Sequence, residues 1–297
     1  MSVDSKTQLH EFLANTREKI NKKLDDLLPA EECEPIILHQ AMRYAVLKGG
    51  KRIRPAVTLA VVEMLGGDKE IALGPAAVLE LIHAASLILD DLPCMDDASR
   101  RRGLPTVHLV FGEDQAVLAG VALLNLAYQH LAEWEKDGIP GMRESLGELA
   151  IAVGTAGTIG GQSADLATHT DNATFERLEY IHSHKTGALF IASARMGARL
   201  AAADEEAIRD IERYAKNLGL AYQIMDDILD VVSTPDITGK TVGRDEKKVT
   251  FVRFIGLDAA RKLVSELTDF AIASLARFGN TAGLLTELAK MLSHRDR

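Results

Sequence analysis

Two clusters of aspartates could bind metal ions in this chain. The first runs from Asp90 to Asp97 and holds four aspartates, and the second runs from Asp226 to Asp230 and holds three. Each cluster ends a long apolar stretch that is typical of a buried helix. The C-terminal end of a helix carries partial negative charge, so adjacent carboxylates repel both the helix dipole and each other. Hard divalent cations relieve that repulsion, and Mg²⁺ shared with substrate phosphates is the typical case.

The spacing of the aspartates supports this interpretation. Asp226 and Asp230 are four residues apart, so they share one face of a continuing helix, with Asp227 beside them. Asp90 and Asp96 are six residues apart, about 240° around an ideal helix. They converge only if the helix ends or distorts between them, and Pro93 gives it a reason to do so. For either cluster alone, a solvated acidic turn is the alternative interpretation. The occurrence of two such clusters in one chain favours metal binding over that alternative.

Two basic motifs could supply the cations that a phosphate ligand needs. The segment from Gly49 to Pro55 places three cations around a glycine pair where a helix is predicted to begin, which favours anion binding. The run from Arg100 to Gly103 follows the first acidic cluster directly. An ordinary basic helix start and simple neutralisation of the acids, respectively, are the alternatives for these two motifs.

Further polar residues lie near the clusters in sequence. His83 is seven residues before Asp90, on the same helical face and about 10 Å along the axis, although a lone histidine in an apolar helix is commonly a core residue. Lys185 precedes an apolar helix, and Gln223 stands three residues before Asp226, on its face. A basic, glycine-containing loop around Lys240 follows the second cluster.

The histidines preceding Lys185 do not suggest a metal site. His182 and His184 are two residues apart, so on a helix their side chains diverge. We find no serine–histidine–acid triad, Walker loop, dinucleotide-binding glycine pattern or zinc-ligand spacing in the sequence.

Composition favours one all-α domain over residues 1–297. Hydrophobic residues make up 47% of the 297 residues and aromatics 5%, with eight prolines. The net charge of −9 argues against nonspecific nucleic-acid binding. The two cysteines, Cys33 and Cys94, offer no disulfide framework, which favours a cytoplasmic protein. The longest apolar run, from Ala116 to Leu124, is too short to cross a bilayer, so we expect no membrane span.

Apolar periodicity predicts about ten helices and a further one at the C-terminus, separated by short breaks. The predicted helices cover residues 5–27, 35–48, 53–65, 70–91, 113–134, 142–160, 174–182, 186–201, 204–231 and 257–275.

Taken together, these motifs resemble those of the trans-isoprenyl diphosphate synthases. The resemblance covers nearly the whole chain in family order, and two acidic motifs with both basic ones is a highly specific combination. It implies an all-α, single-domain bundle around a deep central cavity, usually a homodimer, that condenses allylic diphosphates head-to-tail with isopentenyl diphosphate. The matching segments are residues 49–55, 90–97, 101–103, 160–162, 185–187, 223–230 and 239–240.

The same resemblance implies roles for individual residues. The metal-binding residues, for Mg²⁺ at three ions per active site, are Asp90, Asp91, Asp96, Asp226 and Asp230, of which Asp90, Asp96 and Asp226 match the ligands most closely, while Asp97 and Asp227 would have supporting roles. The residues that resemble contacts to the allylic diphosphate are Arg101, Lys185 and Lys240, with Asp226 through its metal ion. The residues that resemble the isopentenyl diphosphate pocket are Lys51, Arg54, His83 and Arg102. Thr186 and Gln223 would stabilise positive charge at the allylic carbon, so the implied catalytic residues are Lys185, Thr186, Gln223 and Lys240.

Product length is expected to depend on small residues before the first motif. Ala85 and Ser86, five and four residues before Asp90, lack the large aromatic that closes the cavity floor in short-chain relatives. This resembles geranylgeranyl diphosphate synthases, with a farnesyl diphosphate synthase as the alternative, since Leu124 or Tyr128 could also stop the growing chain. Departures from the family pattern are few: Leu89 replaces a common histidine, Arg100 extends the arginine pair, and residues 248–251 differ slightly.

Two other functional classes remain to be distinguished. A terpene cyclase shares the fold but would normally replace the second aspartate motif with an asparagine–serine/threonine–glutamate motif, which this region lacks. A noncatalytic helical partner subunit would tolerate lost ligands, whereas every proposed ligand is present here.

Overall fold

The computed structural model describes residues 2–169, 172–232 and 250–294, and this part of the chain is almost entirely helical. The α-helices are α1 (Ser2–Leu27), α2 (Ile36–Leu47), α3 (Ile53–Met64), α4 (Lys69–Asp90), α5 (Val107–Phe111), α6 (Glu113–Lys136), α7 (Met142–Val153), α8 (Thr158–Leu166), α9 (Phe175–His182), α10 (Ala188–Leu200), α11 (Glu205–Val232), α12 (Phe251–Ile255), α13 (Leu257–Ser274) and α14 (Gly283–Ser293). The prediction of a single-domain, all-α bundle is confirmed. The extent of the domain, residues 1–297, stays a prediction.

Four shorter elements complete the described chain. A π-helical turn, Ser183–Gly187, joins α9 to α10, and a 3₁₀ segment, Ala276–Ala282, precedes α14. Strand β1 (Arg100–Arg101) pairs antiparallel with β2 (Leu104–Pro105), with Arg100 opposite Pro105. The sequence did not predict these elements or the short helices α5 and α12, because such short segments carry too little periodicity to be recognised.

Helix α4 forms the centre of the bundle and delivers the first acidic motif. The Asp68 side chain caps its N-terminus by accepting from the backbone N–H of Glu70 at 2.8 Å. Its apolar residues, from Ala72 to Ile88, are mostly buried in a core shared with α1, α2 and α6. The helix ends at Asp90, before Pro93, as the spacing of the motif predicts.

Among the described helices, α4 is the one long and apolar enough to cross a bilayer. However, 78% of its most apolar stretch is buried inside the protein, which is the environment of a core helix.

Small residues allow the helices around α4 to approach closely. A Cβ added to Gly120 of α6 would lie 3.1 Å from the Leu89 side chain, and one added to Gly74 would lie 2.8 Å from the Trp134 ring. Both distances are below van der Waals contact, so each glycine sets the spacing between α4 and α6.

The prediction of one helix over residues 142–160 is wrong. The structure has α7 ending at Val153 and α8 beginning at Thr158. The chain reverses so tightly between them that a Cβ on Gly157 would lie 2.0 Å from the carbonyl oxygen of Ala152. The break gives α8 a different direction from α7, and α8 lies beside the π-helical turn.

Helix α11 carries the second acidic motif without interruption. It runs through Asp226 and Asp230 to Val232, which confirms the prediction of a continuing helix. The Tyr214 hydroxyl is buried in its first half and donates to the Leu285 carbonyl of α14 at 2.8 Å. Helices α10 and α13 pack along α11 and fix its C-terminal end relative to α4.

Candidate active site

The first acidic motif folds back on itself where α4 ends. The backbone N–H of Asp96 donates to the Asp90 carbonyl at 2.8 Å, and Asp97 has a positive φ of 47°. This turn returns Asp96 to the end of the helix from which Asp90 projects. The two aspartates therefore converge as the break at Pro93 predicts.

Asp91 points away from its neighbours and is buried, with 3% exposure. Its carboxylate accepts from Arg101 Nη2 at 2.5 Å and from Arg101 Nε at 3.2 Å. Burial raises the pKa of Asp91, although the Arg101 hydrogen bonds oppose the shift. Asp91 thus fixes Arg101 on the short β-hairpin beside the metal motif.

The basic loop before α3 is anchored by a buried ion pair. Arg52 is 2% exposed, has a φ of 53°, and donates to Glu80 Oε2 of α4 at 2.8 Å. It also donates to the Val46 carbonyl and to the Asn21 side chain. The neighbouring Lys51 is exposed. Arg52 is therefore the structural member of the three cations in this loop.

A group of arginines surrounds His83. Burial lowers the pKa of His83 well below its usual value, and the charges of Arg54 and Arg102 lower it further. The Arg102 guanidinium also donates to the Gly49 carbonyl at 2.9 Å, which ties the hairpin to the basic loop. The residues that the resemblance implies for the isopentenyl diphosphate pocket thus lie in one region. They are Arg54, His83 and Arg102, together with Lys51, which belongs to the same basic loop.

Arg54 lies near the second acidic motif, because its guanidinium feels the charge of Asp226. Its guanidinium lies 5.1 Å from the centre of the Phe190 ring, and the Phe190 ring lies 5.3 Å from that of Tyr222. Burial lowers the pKa of Arg54, while the charges of Glu80, Tyr222 and Asp226 act in the opposite direction. The basic region and the second acidic motif therefore share one electrostatic environment.

Lys185 lies on the π-helical turn, close to the first acidic motif. Its Nζ donates to Asp165 Oδ2 of α8 at 2.7 Å. Burial lowers the pKa of Lys185, but the charges of Asp165, Asp90 and Asp96 outweigh it, so the net shift is upward. The lysine is thus a fixed cation held near the carboxylates of the first acidic motif.

The π-helical turn packs against α8 through a glycine. A Cβ on Gly161 would lie 2.2 Å from the Lys185 backbone nitrogen. On the same face of α8 as Asp165, the Gln162 amide atoms and the Thr158 hydroxyl are buried and have no hydrogen-bond partner among the described residues. This polar face of α8 therefore lies next to Lys185.

A chain of hydrogen bonds runs from the π-helical turn into α11. The Thr186 hydroxyl donates to Gln223 Oε1 at 2.9 Å, and Gln223 Nε2 donates to Asp227 Oδ1 at 3.2 Å. The backbone N–H of Phe251 donates to Asp227 Oδ2 at 3.1 Å. Burial raises the pKa of Asp227 to about 7, although these hydrogen bonds oppose the shift. Thr186 and Gln223 are thus in direct contact.

The two acidic motifs are therefore parts of one site. Lys185 shares an environment with Asp90 and Asp96, and its neighbour Thr186 is bonded to Gln223, which lies one turn before Asp226. Asp230 follows one turn further along α11.

The divergence of the two histidines is confirmed. His182 is largely buried, its ring lies tilted against the Phe251 ring with 5.0 Å between the centroids, and desolvation lowers its pKa to about 4. His184 instead stacks on Tyr180 and contacts the Tyr180 carbonyl through Nδ1.

The acidic motifs fit a magnesium site of the kind that a substrate completes. Within the described ranges, no three carboxylate, imidazole or thiol groups are close enough to hold a metal ion by themselves. Asp90 and Asp96 at the end of α4 and Asp226 on α11 supply only oxygen donors. Mg²⁺ prefers oxygen, keeps several waters and is commonly held by one or two carboxylates plus substrate phosphates, so the donor set fits this ion.

The two residues expected to control product length differ in environment. Ala85 is fully buried, and its carbonyl oxygen lies 3.6 Å from where a Cβ of Gly120 would be, so it lies at the contact between α4 and α6. Ser86 is partly exposed, and its hydroxyl donates to the His83 carbonyl at 2.9 Å. Tyr128 is also partly buried.

One predicted site residue, Lys240, lies outside the described residues, as does the rest of its basic loop. Conversely, the structure adds Glu80 and Asp165 as the partners that hold Arg52 and Lys185, and it places Asp227, expected in a supporting role, against Gln223. A carboxylate in an apolar helix was the available signal for Glu80. For Asp165 the sequence had no signal beyond its place after the glycine motif.

The fold is a helical bundle, and its site combines acids from two helices with fixed cations from the π-helical turn and the basic loops. These features are typical of an enzyme that acts on diphosphates with the help of metal ions. The sequence model of the polyprenyl synthetase family matches residues 35–272 of the chain. The chain belongs to this family and is a prenyltransferase. Members of the family use Mg²⁺.

Individual relatives support the assignment over the whole chain. Geranylgeranyl pyrophosphate synthase 11, chloroplastic, of Arabidopsis thaliana is 42% identical over 293 residues, which cover 96% of this chain and 81% of the relative. The apo crystal structure of an FPP/GFPP synthase from Zymomonas mobilis has 36% identity and a TM-score of 0.85, and covers 99% of this chain and 100% of its own. A geranyltransferase from Helicobacter pylori, complexed with magnesium and isoprenyl diphosphate, has 32% identity and a TM-score of 0.81, with 95% and 96% of the two chains covered.

Proposed function

We propose that the protein condenses allylic diphosphates (dimethylallyl, geranyl and farnesyl) with isopentenyl diphosphate in a Mg²⁺-dependent reaction that yields geranylgeranyl diphosphate. The observation that carries the proposal is that Lys185 feels the charges of Asp90 and Asp96, while the neighbouring Thr186 is hydrogen-bonded to Gln223, one turn before Asp226. The identity to geranylgeranyl pyrophosphate synthases supports the product.

The reaction needs stabilisation of a departing diphosphate. When the allylic C–O bond breaks, negative charge develops on the diphosphate, and fixed cations lower the barrier by stabilising that charge. Lys185 and Arg101 are held by Asp165 and Asp91 where they would contact it. Magnesium, when bound, supplies further stabilisation of the same charge as a Lewis acid. Asp90, Asp96 and Asp226 would hold it, with Asp91 and Asp230 in support and three ions per site.

The allylic carbon becomes positively charged in the same step. Thr186 follows Lys185 in the chain, and its hydroxyl oxygen lies 2.9 Å from the Gln223 carbonyl oxygen. The two oxygen atoms would stabilise this charge. The cation then alkylates the double bond of isopentenyl diphosphate, and the departing diphosphate can accept the proton that is lost. The site therefore needs no protein general base.

The arginine group around His83 would bind the second diphosphate. Arg54, Arg102 and Lys51 supply cations, and Arg54 and Arg102 can bind phosphate oxygens in a bidentate manner. Burial and the neighbouring arginines lower the pKa of His83, which favours the neutral, hydrogen-bonding form of its ring. Lys240, expected to contact the allylic diphosphate, remains a prediction.

Product length is proposed to depend on Ala85 and Ser86. We expect Ala85→Tyr and Ser86→Tyr to shorten the product, since each adds a large ring at the positions where the family resemblance implies the floor of the product cavity. Because Ala85 is fully packed, its variant is also expected to lose roughly 1–3 kcal/mol of stability. Liquid chromatography with mass spectrometry would size the products. If both variants give an unchanged product, another residue limits the product length, for instance Leu124 or Tyr128.

An apolar face of α6 supports a homodimer. Val117, Leu118 and Val121 lie on one face of this helix and are 41–56% exposed, and Leu109 of the preceding helix is also exposed. Contiguous exposed apolar residues are typical of protein–protein contacts. Val121→Glu should convert a dimer of the 32.2 kDa chain into monomers in sedimentation analysis, whereas Ile71→Glu, at an exposed isoleucine of α4, should not. A wild-type monomer would refute the dimer.

Cytoplasmic localisation stays part of the proposal, supported by the two free, exposed cysteines. The similar plant proteins are named as chloroplastic. Fractionation of cells that express the chain natively would decide between the compartments.

Farnesyl diphosphate synthesis is the second candidate, because the similar Zymomonas structure is an FPP/GFPP synthase. The deciding experiment incubates purified protein with Mg²⁺, isopentenyl diphosphate and each allylic primer, and sizes the products. We expect the twenty-carbon diphosphate. A fifteen-carbon product would favour the second candidate. Cyclic hydrocarbons or no product would indicate a terpene cyclase or a noncatalytic subunit and refute the proposal.

A further inference from the structure

Asp227 belongs to the second acidic motif by sequence but not by environment. It is 5% exposed, and both oxygens of its carboxylate are engaged by protein groups. Gln223 Nε2 donates to Oδ1 at 3.2 Å, and the backbone N–H of Phe251 donates to Oδ2 at 3.1 Å. His182 Nε2 lies 4.0 Å from Oδ2 and closes the pocket on that side. These contacts direct Asp227 away from the face of α11 that carries Asp226 and Asp230.

This environment determines which way the Gln223 side chain points. A glutamine amide has a donor end and an acceptor end of nearly equal shape, so only its partners decide its orientation. The Asp227 carboxylate accepts and therefore selects the NH₂ end. The carbonyl end is left on the side of Thr186, whose hydroxyl donates to it at 2.9 Å.

We propose that Asp227 is a positioning residue that orients the Gln223 amide, so that the Gln223 carbonyl oxygen and the Thr186 hydroxyl oxygen face the reacting carbon. The inference rests on the proposed function, in which these two oxygens stabilise positive charge. Without Asp227 as an acceptor the amide could rotate, and its NH₂ end would then destabilise that charge.

The orientation can be reversed by exchanging the chemistry of the two partners. In Asp227→Asn, the new amide still accepts from Phe251 but presents its own NH₂ to Gln223, which selects the wrong end of the glutamine. In Gln223→Glu, two carboxylates face each other across the 3.2 Å contact. In the double variant, the amide introduced at position 227 donates to the carboxylate introduced at position 223, and an acceptor oxygen again faces Thr186.

The test measures kcat, both KM values and the Mg²⁺ concentration for half-maximal activity in the wild type and the three variants. We expect kcat to fall about tenfold in Asp227→Asn and further in Gln223→Glu. The KM values and the Mg²⁺ requirement should change less than about twofold, and the double variant should recover about fivefold or more over Gln223→Glu. Asp230→Asn serves as the contrasting variant, since loss of a metal-supporting carboxylate should raise the Mg²⁺ requirement.

Different outcomes overturn different claims. If the wild type elongates prenyl diphosphates but the double variant is no better than Gln223→Glu, Asp227 does not act through Gln223. A raised Mg²⁺ requirement in Asp227→Asn would instead make it a metal residue. If Asp227→Asn does not fold, rescue of Gln223→Glu by the second substitution still decides the question. A wild type without elongation activity would overturn the proposed function and, with it, this inference.

Discussion

The buried ion pair between Arg52 and Glu80 allows a sharp prediction about the basic loop. The two side chains are 1% and 3% exposed and 2.8 Å apart. Glu80→Gln keeps the size of the side chain and one acceptor but leaves the Arg52 charge buried without a counter-charge. Removing one partner of such a pair typically costs about 3–5 kcal/mol, and we expect a loss in this range.

The same substitution should weaken one substrate more than the other. Arg52 lies between Lys51 and Arg54, so its displacement moves the residues proposed to bind isopentenyl diphosphate. We expect the KM for isopentenyl diphosphate to rise about tenfold, equivalent to about 1.4 kcal/mol. The KM for the allylic diphosphate should stay nearly constant, because Lys185 and Arg101 are held by other partners.

Urea unfolding and steady-state kinetics would measure the two effects, with Glu63→Gln as the control. Glu63 pairs with Lys69 at 2.7 Å, but the two side chains are 40% and 51% exposed. An exposed pair contributes at most about 1 kcal/mol, and Glu63 lies at the C-terminal end of α3, whereas the basic loop is at the N-terminal end of that helix. Equal unfolding free energies for the two variants, or equal changes in both KM values, would refute the reasoning.

Three further predictions concern other parts of the structure. Burial raises the pKa of Glu148, but hydrogen bonds from two arginines of α10 outweigh it and lower the pKa below its usual 4.5. A carboxylate with a lowered pKa stabilises the fold above about pH 4.5 and loses that effect as the pH falls. Glu148→Gln should therefore cost roughly 1–3 kcal/mol at pH 7 in urea unfolding and much less at pH 3.5, whereas Glu144→Gln, at an exposed position of the same helix, should have little effect at either pH. Gly161→Ala should displace the backbone of Lys185 and lower kcat, while Gly147→Ala, where no atom lies within 4 Å, should leave kcat unchanged, and equal activities would contradict the packing argument. Chelation with EDTA should abolish elongation and added Mg²⁺ should restore it, and activity in excess chelator would exclude magnesium as the ion required.

Much of this protein can be predicted from local patterns in the sequence. Periodic apolar residues indicate the long helices, because residues that recur about every 3.6 positions share the buried face of a helix, whatever that face packs against. Pro93 predicts the end of α4, and the four-residue spacing of Asp226 and Asp230 predicts their shared face. The acidic and basic motifs also resemble those of the family that the comparisons identify.

The tertiary structure decided which charged residues belong together. Arg52 looked equivalent to Lys51 and Arg54 in the sequence, but it is buried on Glu80, 28 residues away in the chain. Asp227 was expected to support the metal site, but its carboxylate accepts from the Gln223 side chain and the Phe251 backbone. Such pairings join positions that are distant in the chain, and they depend on how the helices pack. Local sequence determined the helices and the residue types of the site, while packing determined the partner of each charge, because burial and distance set its interactions.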